Sequence, residues 1–286
     1  MRREFASLPS GLAVALVVGC APPSASPPLG SASVSAPRSA ASSSPDPELA
    51  VGSFRLDFDE NDVLTITGPS RLTASIIPIN GGNVRRVPSP DGQGIGFPAE
   101  SSAPDPPGAM VLIEGADLPN PGSRSFSFGA DVRLDATSTS DTDDGDNVLQ
   151  RGRFDDPSQL KLQVDRGEPS CLVRGTNGSA IAKSRGRLGE GWYRLRCDRV
   201  GDTLTLTVED LESPMTSAVA IPATAPLGEV VFKPQMPLSI GRKASSEGAP
   251  TSNQPDQFNG ALDAVWVSID ECLANLEPVE GCEDAS

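Results

Sequence analysis

Gln159-Leu160-Lys161-Leu162-Gln163-Val164-Asp165 sets Leu160, Leu162 and Val164 on alternate positions, with polar residues between them. Successive side chains of an extended chain point to opposite faces, so this segment has one apolar and one polar face, the pattern of a half-buried strand. Arg166-Gly167-Glu168-Pro169 supplies glycine and proline for a reversal, after which Ser170-Cys171-Leu172-Val173-Arg174 returns. Further on, Tyr193, Leu195 and Cys197 are in phase, Val200-Gly201-Asp202 turns the chain, and Thr203-Leu204-Thr205-Leu206-Thr207-Val208 alternates throughout. From Asp146 to Glu209 the sequence thus reads as two consecutive antiparallel hairpins.

The same rule extends outward. Phe126, Phe128, Ala130, Val132 and Leu134 share one face, and each buried large side chain there is worth about 1.5 to 3 kcal/mol. Met110-Val111-Leu112-Ile113 suits a buried strand, and Asn120-Pro121-Gly122 a turn. Phe54, Leu56 and Phe58 are in phase near the start of the domain. The stretch from Ser75 to Pro107, rich in glycine and proline, reads as long loops between short edge strands. Near the end, Phe258, Gly260 and Leu262 have one parity and Val265, Val267 and Ile269 the other, which a β-bulge near Asp263 reconciles. The fold class is all-β, an antiparallel sandwich, and 286 residues hold one such domain with tails. The domain is expected over 48–270, followed by a tail over 271–286.

Five pieces stand in a telling order: Ser125 to Leu134, Asp146-Asn147-Val148-Leu149-Gln150-Arg151-Gly152, Gly189 to Leu195 with its Trp192-Tyr193, Pro237-Leu238-Ser239-Ile240-Gly241, and Phe258 to Val265. In this order they resemble the laminin G-like, concanavalin A-like jelly-roll family, over about residues 85 to 270. The resemblance implies a jelly-roll sandwich. That fold hosts lectins, glycosidases, adhesion modules and interaction domains, so function has to come from the site.

Before the domain, Met1-Arg2-Arg3 and the apolar run Leu12 to Val18 have the form of an export signal, too short to span a bilayer. Arg2-Arg3-Glu4-Phe5 suits either a twin-arginine signal or an ordinary positive start. Val17-Val18-Gly19-Cys20 resembles the bacterial lipobox, which makes 1–19 a lipoprotein signal peptide and Cys20 the lipidated first mature residue. More than one acyl chain gives stable anchoring, so a bacterial cell-envelope location is expected, with the outer membrane favoured. Residues 20–47, almost entirely alanine, serine and proline, cannot bury enough apolar surface to order and read as a flexible tether. Of five cysteines, one is lipidated and four remain for an oxidising compartment. The favoured pairing joins Cys171 to Cys197, on neighbouring strands of the central hairpins, and Cys272 to Cys282 in the tail.

The formal net charge of -15 repels phosphate backbones, which excludes nucleic acid as a partner. Histidine is absent, and with it Ser-His-Asp and Cys-His catalysis, His-ligated zinc and imidazole pH switches. The Glu-x-Asp-x-x-Glu strand of the family's glucanases is absent too, so the chain reads as no enzyme. Asp141-Thr142-Asp143-Asp144-Gly145-Asp146-Asn147 packs hard oxygens around a glycine, either a Ca²⁺ loop built on Asp141, Asp143, Asp144 and Asp146 or a solvated acidic loop. Asp57, Asp59 and Asp62 are a weaker group of the same kind.

Trp192 and Trp266 are out of phase with their apolar neighbours. Each is therefore either a sugar-stacking platform or a ring covered by a second layer. Asn177-Gly178-Ser179 reads as a turn. Together these features describe a non-catalytic binding module for carbohydrate or an extracytoplasmic protein, recognised by rim loops, with calcium as the candidate cofactor. A structural envelope or adhesion protein without a small ligand is the alternative.

Overall fold

Among the described residues sixteen strands form two antiparallel sheets, and the apolar side chains that many of them carry on alternate positions meet between the sheets. The computed structural model describes residues 53–58, 64–135, 146–213, 218–252 and 256–269. The chain divides into two units, Met1–Asp46 and Pro47–Ser286, and every described residue lies in the second. The expected signal peptide, Cys20, the tether and the tail with Cys272 and Cys282 lie outside the described residues, as do Asp59, Asp62, Asp141, Asp143 and Asp144.

In chain order the strands are β1 (Phe54–Asp57), β2 (Thr65–Thr67), β3 (Thr73–Ile79), β4 (Arg85–Ser89), β5 (Gly92–Gly96), β6 (Gly108–Glu114), β7 (Phe126–Leu134) and β8 (Asp146–Arg151). They continue as β9 (Gln159–Asp165), β10 (Glu168–Gly175), β11 (Gly178–Lys183), β12 (Tyr193–Val200), β13 (Thr203–Asp210), β14 (Val219–Thr224), β15 (Leu238–Ile240) and β16 (Gly260–Ile269). One sheet has the order β14-β13-β12-β7-β16-β1-β2, with the β4–β5 hairpin joined to β16. The other runs β11-β10-β9-β8-β15-β6-β3. The all-β, two-sheet expectation is met.

Phe54, Phe58, Phe97, Phe128 and Phe258 are fully buried, and with Leu56, Ile113, Leu149, Leu160 and Leu162 they fill the space between the sheets. The turn between β9 and β10 is tighter than the sequence suggested. Arg166 and Gly167, both at positive φ (53° and 81°), make the two-residue connection that matches strand twist, and Pro169 already belongs to β10. The bulge near Asp263 is present: the β16–β7 register shifts between Asp263 and Trp266, with Ala264 at φ 46°. That shift returns Val265, Val267 and Ile269 to the core side.

Two expectations need correction. The stretch from Ser75 to Pro107 holds the expected short strands, most of β3 and all of β4 and β5, with less loop than expected; Pro78 and Pro88 lie on strands at edges, where a missing N–H is tolerated. The two central hairpins also belong to different sheets, β9–β10 to one and β12–β13 to the other. Cys171 and Cys197 do pair, with Cα atoms 6.0 Å apart, but across the core between sheets and not between neighbouring strands.

Two buried arginines pin the end of the sandwich where β8, β12 and β16 finish. Arg199 donates to the carbonyls of Gly122, Arg124, Gly201 and Gly228. Arg151 donates to the carbonyls of Met236 and Pro119 and lies 4.5 Å from the Phe232 ring centroid. Burial pushes its guanidinium down to about 10.

Candidate functional site

The outer face of the larger sheet gathers the polar residues that alternate with its core. Residues opposite one another on paired strands share a face, so the registers of β2, β1, β16, β7, β12, β13 and β14 define one row across it. That row reads Thr67, Arg55, Trp266, Gly129, Arg196, Thr207, Ala220. Trp266 stands beside its central residue, Gly129, and faces outward because of the β16 bulge. Gly129 makes room for it. A Cβ there would lie 2.3 Å from Cζ2 and 2.5 Å from Cη2 of the indole, so the six-membered ring occupies the space a side chain would need. Trp266 remains partly exposed.

On either side of the tryptophan is an arginine held by the aspartate two residues along its own strand. Arg55 Nε donates to Asp57 Oδ1 at 2.8 Å and Oδ2 at 3.0 Å; Arg196 Nε donates to Asp198 Oδ1 at 2.8 Å. Next to this row, Arg194 makes a two-pronged bond to Asp131, 2.8 Å from each oxygen, and reaches Asp91 at 3.6 Å. Burial raises the Asp131 carboxyl above the ordinary aspartate range, with Arg194 pulling the other way, and burial likewise raises Asp198 against the pull of Arg196.

The β4–β5 hairpin lies against this face and bounds the row on one side. Its tip brings Asp91 to Arg194, and Ser89 Oγ donates to Asp263 Oδ2 at 2.6 Å. Beneath the hairpin, Trp192 packs with Val87 and Ala261, and the Arg133 guanidinium sits 5.1 Å from its ring centroid. Trp192 points away from the inter-sheet core, as its phase requires, yet is only 4% exposed. Of the two tryptophans, Trp266 is therefore the one a ligand can reach.

The acidic loop is represented by Asp146, the first residue of β8, which is fully buried. The adjacent Asn147 backbone N–H donates to the Asp256 carbonyl at 3.0 Å, and its buried side-chain amide has no hydrogen-bond partner among the described residues. The Asp256 carboxylate already holds Lys161 at 3.0 Å and Lys243 at 2.8 Å. Asp146 and Asn147 offer the hard oxygens Ca²⁺ prefers, but the described residues contribute a single carboxylate of the four and gather no group of three or more acidic, cysteine or histidine side chains. Asp57, another metal candidate, is engaged by Arg55.

The sequence signal for the row was the repeated Arg-x-Asp spacing in Arg55-Leu56-Asp57 and Arg196-Cys197-Asp198, on the polar parity of two strands. Register, which places both beside Trp266, is not written in either strand alone.

No family model matches the sequence, and no curated protein does. Solved structures with a similar arrangement include the binding domain of botulinum neurotoxin serotype G (TM-score 0.49, 7% identity, 75% of this chain and 46% of that one). They also include the binding domain of the Paraclostridial Mosquitocidal Protein 1 (0.48, 12%, 75% and 48%). A third is the pair of laminin G domains 4 and 5 of the mouse laminin alpha-1 chain (0.41, 12%, 65% and 41%), from the family that the strand motifs resemble. The chain spans less than half the length of each.

Proposed function

We propose that the chain is a carbohydrate-binding module with no catalytic role, held at the bacterial cell envelope through a lipid on Cys20. The observation that carries the reading is the partly exposed Trp266, seated over Gly129 and flanked by Arg55 and Arg196. An indole supplies a surface for the apolar face of a sugar ring, and the neighbouring guanidinium and carboxylate groups can satisfy its hydroxyls. The site is on the face of a sheet, which holds its residues more rigidly than the rim loops expected from the sequence.

The lipidation reading is supported by Val17-Val18-Gly19-Cys20 and by the alanine, serine and proline tract that follows, a spacer that lets a module reach a ligand away from the lipid surface. A glycan array probed with the full chain tests the binding reading, run in parallel with Trp266→Ala and with a chelator. Signal on some glycans, lost with Trp266→Ala, is the expected result. Absence of any glycan signal, or signal indifferent to Trp266, overturns it. Signal lost on chelation would show that binding needs a divalent cation.

A further inference from the structure

We infer that the Trp266 row takes an uncharged oligosaccharide laid across the strands, one sugar on the indole and its neighbours engaging the two Arg-Asp pairs; this rests on the carbohydrate reading above and adds the class and length of the ligand. Arg55 with Asp57 and Arg196 with Asp198 repeat one device, with the same i, i+2 spacing and the same 2.8 Å bond from Nε to Oδ1. Each pairing from β1 through β16 and β7 to β12 is antiparallel, so β1 and β12 run in opposite directions. Asp57 and Asp198 accordingly fall on opposite sides of the row, with Trp266 between the two pairs.

The chemistry of these pairs decides the class. An arginine whose Nε is held by a carboxylate keeps the N–H groups of its terminal nitrogens, and the carboxylate keeps acceptor lone pairs. Each pair thus offers a donor beside an acceptor, which is what adjacent sugar hydroxyls need, since each hydroxyl both gives and takes a hydrogen bond. A bare guanidinium would favour a carboxylate or sulfate instead. Here Arg55 and Arg196 are each neutralised in place, and Arg194 is doubly bonded to Asp131. An acidic sugar would have to displace a carboxylate already at 2.8 Å. At physiological salt, charges beyond about 8 Å are largely screened, so these adjacent pairs count for more than the chain's net charge, and both oppose an anion.

Geometry decides the length. Arg55 and Arg196 lie on strands three spacings apart, roughly 14 Å, which one sugar ring does not bridge. The β4–β5 hairpin bounds one side of the row, so a linear ligand that touches both pairs lies along it.

The test is titration calorimetry of the full chain in detergent against linear gluco-, manno- and galacto-tetrasaccharides, their monosaccharides, and an oligogalacturonate of matching length. At least one neutral tetrasaccharide should bind, with its monosaccharide weaker by about tenfold or more and the uronate weaker than the neutral ligand. Arg55→Gln and Arg196→Gln should each cost about tenfold in affinity, the scale of a lost hydrogen bond to a charged group, without lowering Tm. Should Arg196→Gln lower Tm, Arg55→Gln decides, because Arg55 is the more exposed of the two. A uronate that binds more tightly than every neutral sugar, and needs Trp266, would overturn the neutral class while leaving the carbohydrate reading standing. Equal affinity for monosaccharide and tetrasaccharide, or full affinity in Arg55→Gln, would overturn the extended site. Binding of no sugar in the set would overturn both this inference and the carbohydrate reading.

Discussion

Gly129 is the residue on which the face turns. Its missing Cβ is what lets the Trp266 ring settle, and an added methyl would also meet the Leu195 carbonyl oxygen at 2.4 Å. The indole is a side chain that can swing away; the carbonyl is backbone and cannot. Gly129→Ala should therefore destabilise the domain by about 1 to 3 kcal/mol, as overpacking does, and cost glycan affinity out of proportion to that loss. Urea unfolding and titration on the same variant check the pair of effects, and unchanged affinity would dissociate the glycine from the platform. Asp131 acts in the opposite sense to most carboxylates. Burial, ahead of the opposing pull of Arg194, raises it, so the folded state binds its proton more tightly than the unfolded state does. Its contribution to stability is complete below the ordinary aspartate value and disappears as pH rises through the raised one. Asp131→Asn removes that acid-side gain, so the variant should lose more Tm than wild type between neutral and mildly acidic buffer. A variant that is less acid-sensitive than wild type would refute the assignment.

At the scale of elements, the strands that alternate cleanly in sequence, β7, β9, β12 and β13, are those with apolar residues on the inter-sheet core and polar residues on the opposite face, several of them buried as well. They were legible because period two is a local property. β3, β4, β5 and β11 were not, since glycine and proline dilute the pattern and edge or short strands need less of it. Sheet membership was out of reach for a different reason: it depends on contacts distant in sequence. So the Cys171–Cys197 pair was named from the cysteine count and an expected strand neighbourhood that the sheets do not have, and its place as a tie between sheets was not legible. Trp266 was legible as an outward residue through the bulge at Asp263, but its two arginine neighbours appear only once β1, β16, β7 and β12 are aligned. The disulfide closes a loop of sequence separation 26, for which chain entropy gives about 3.5 kcal/mol. Cys171→Ser with Cys197→Ser should lower stability by about that amount, measured by urea unfolding, and a loss below about 1 kcal/mol would mean the core already holds the two sheets together.

For the whole molecule, the row is built entirely from residues of the second unit, on β1, β2, β7, β12, β13, β14 and β16. The proposed lipid, by contrast, sits on Cys20, separated from Phe54 by the alanine, serine and proline tract. Recognition and anchoring are thus assigned to separate stretches of chain, and they should separate in experiment. Cys20→Ser removes the thiol that acylation requires and changes no residue of the row. The variant is expected to leave the membrane fraction while its affinity for the best neutral oligosaccharide stays within about twofold of wild type, a difference of about 0.4 kcal/mol. Mass spectrometry of the mature N-terminus supplies the complementary reading, with acyl chains on Cys20 in wild type. If Cys20→Ser stays with the membrane as fully as wild type, the anchor is not this cysteine. If it leaves the membrane and also loses sugar binding, the row needs the bilayer nearby, and the division between tether and recognising domain fails.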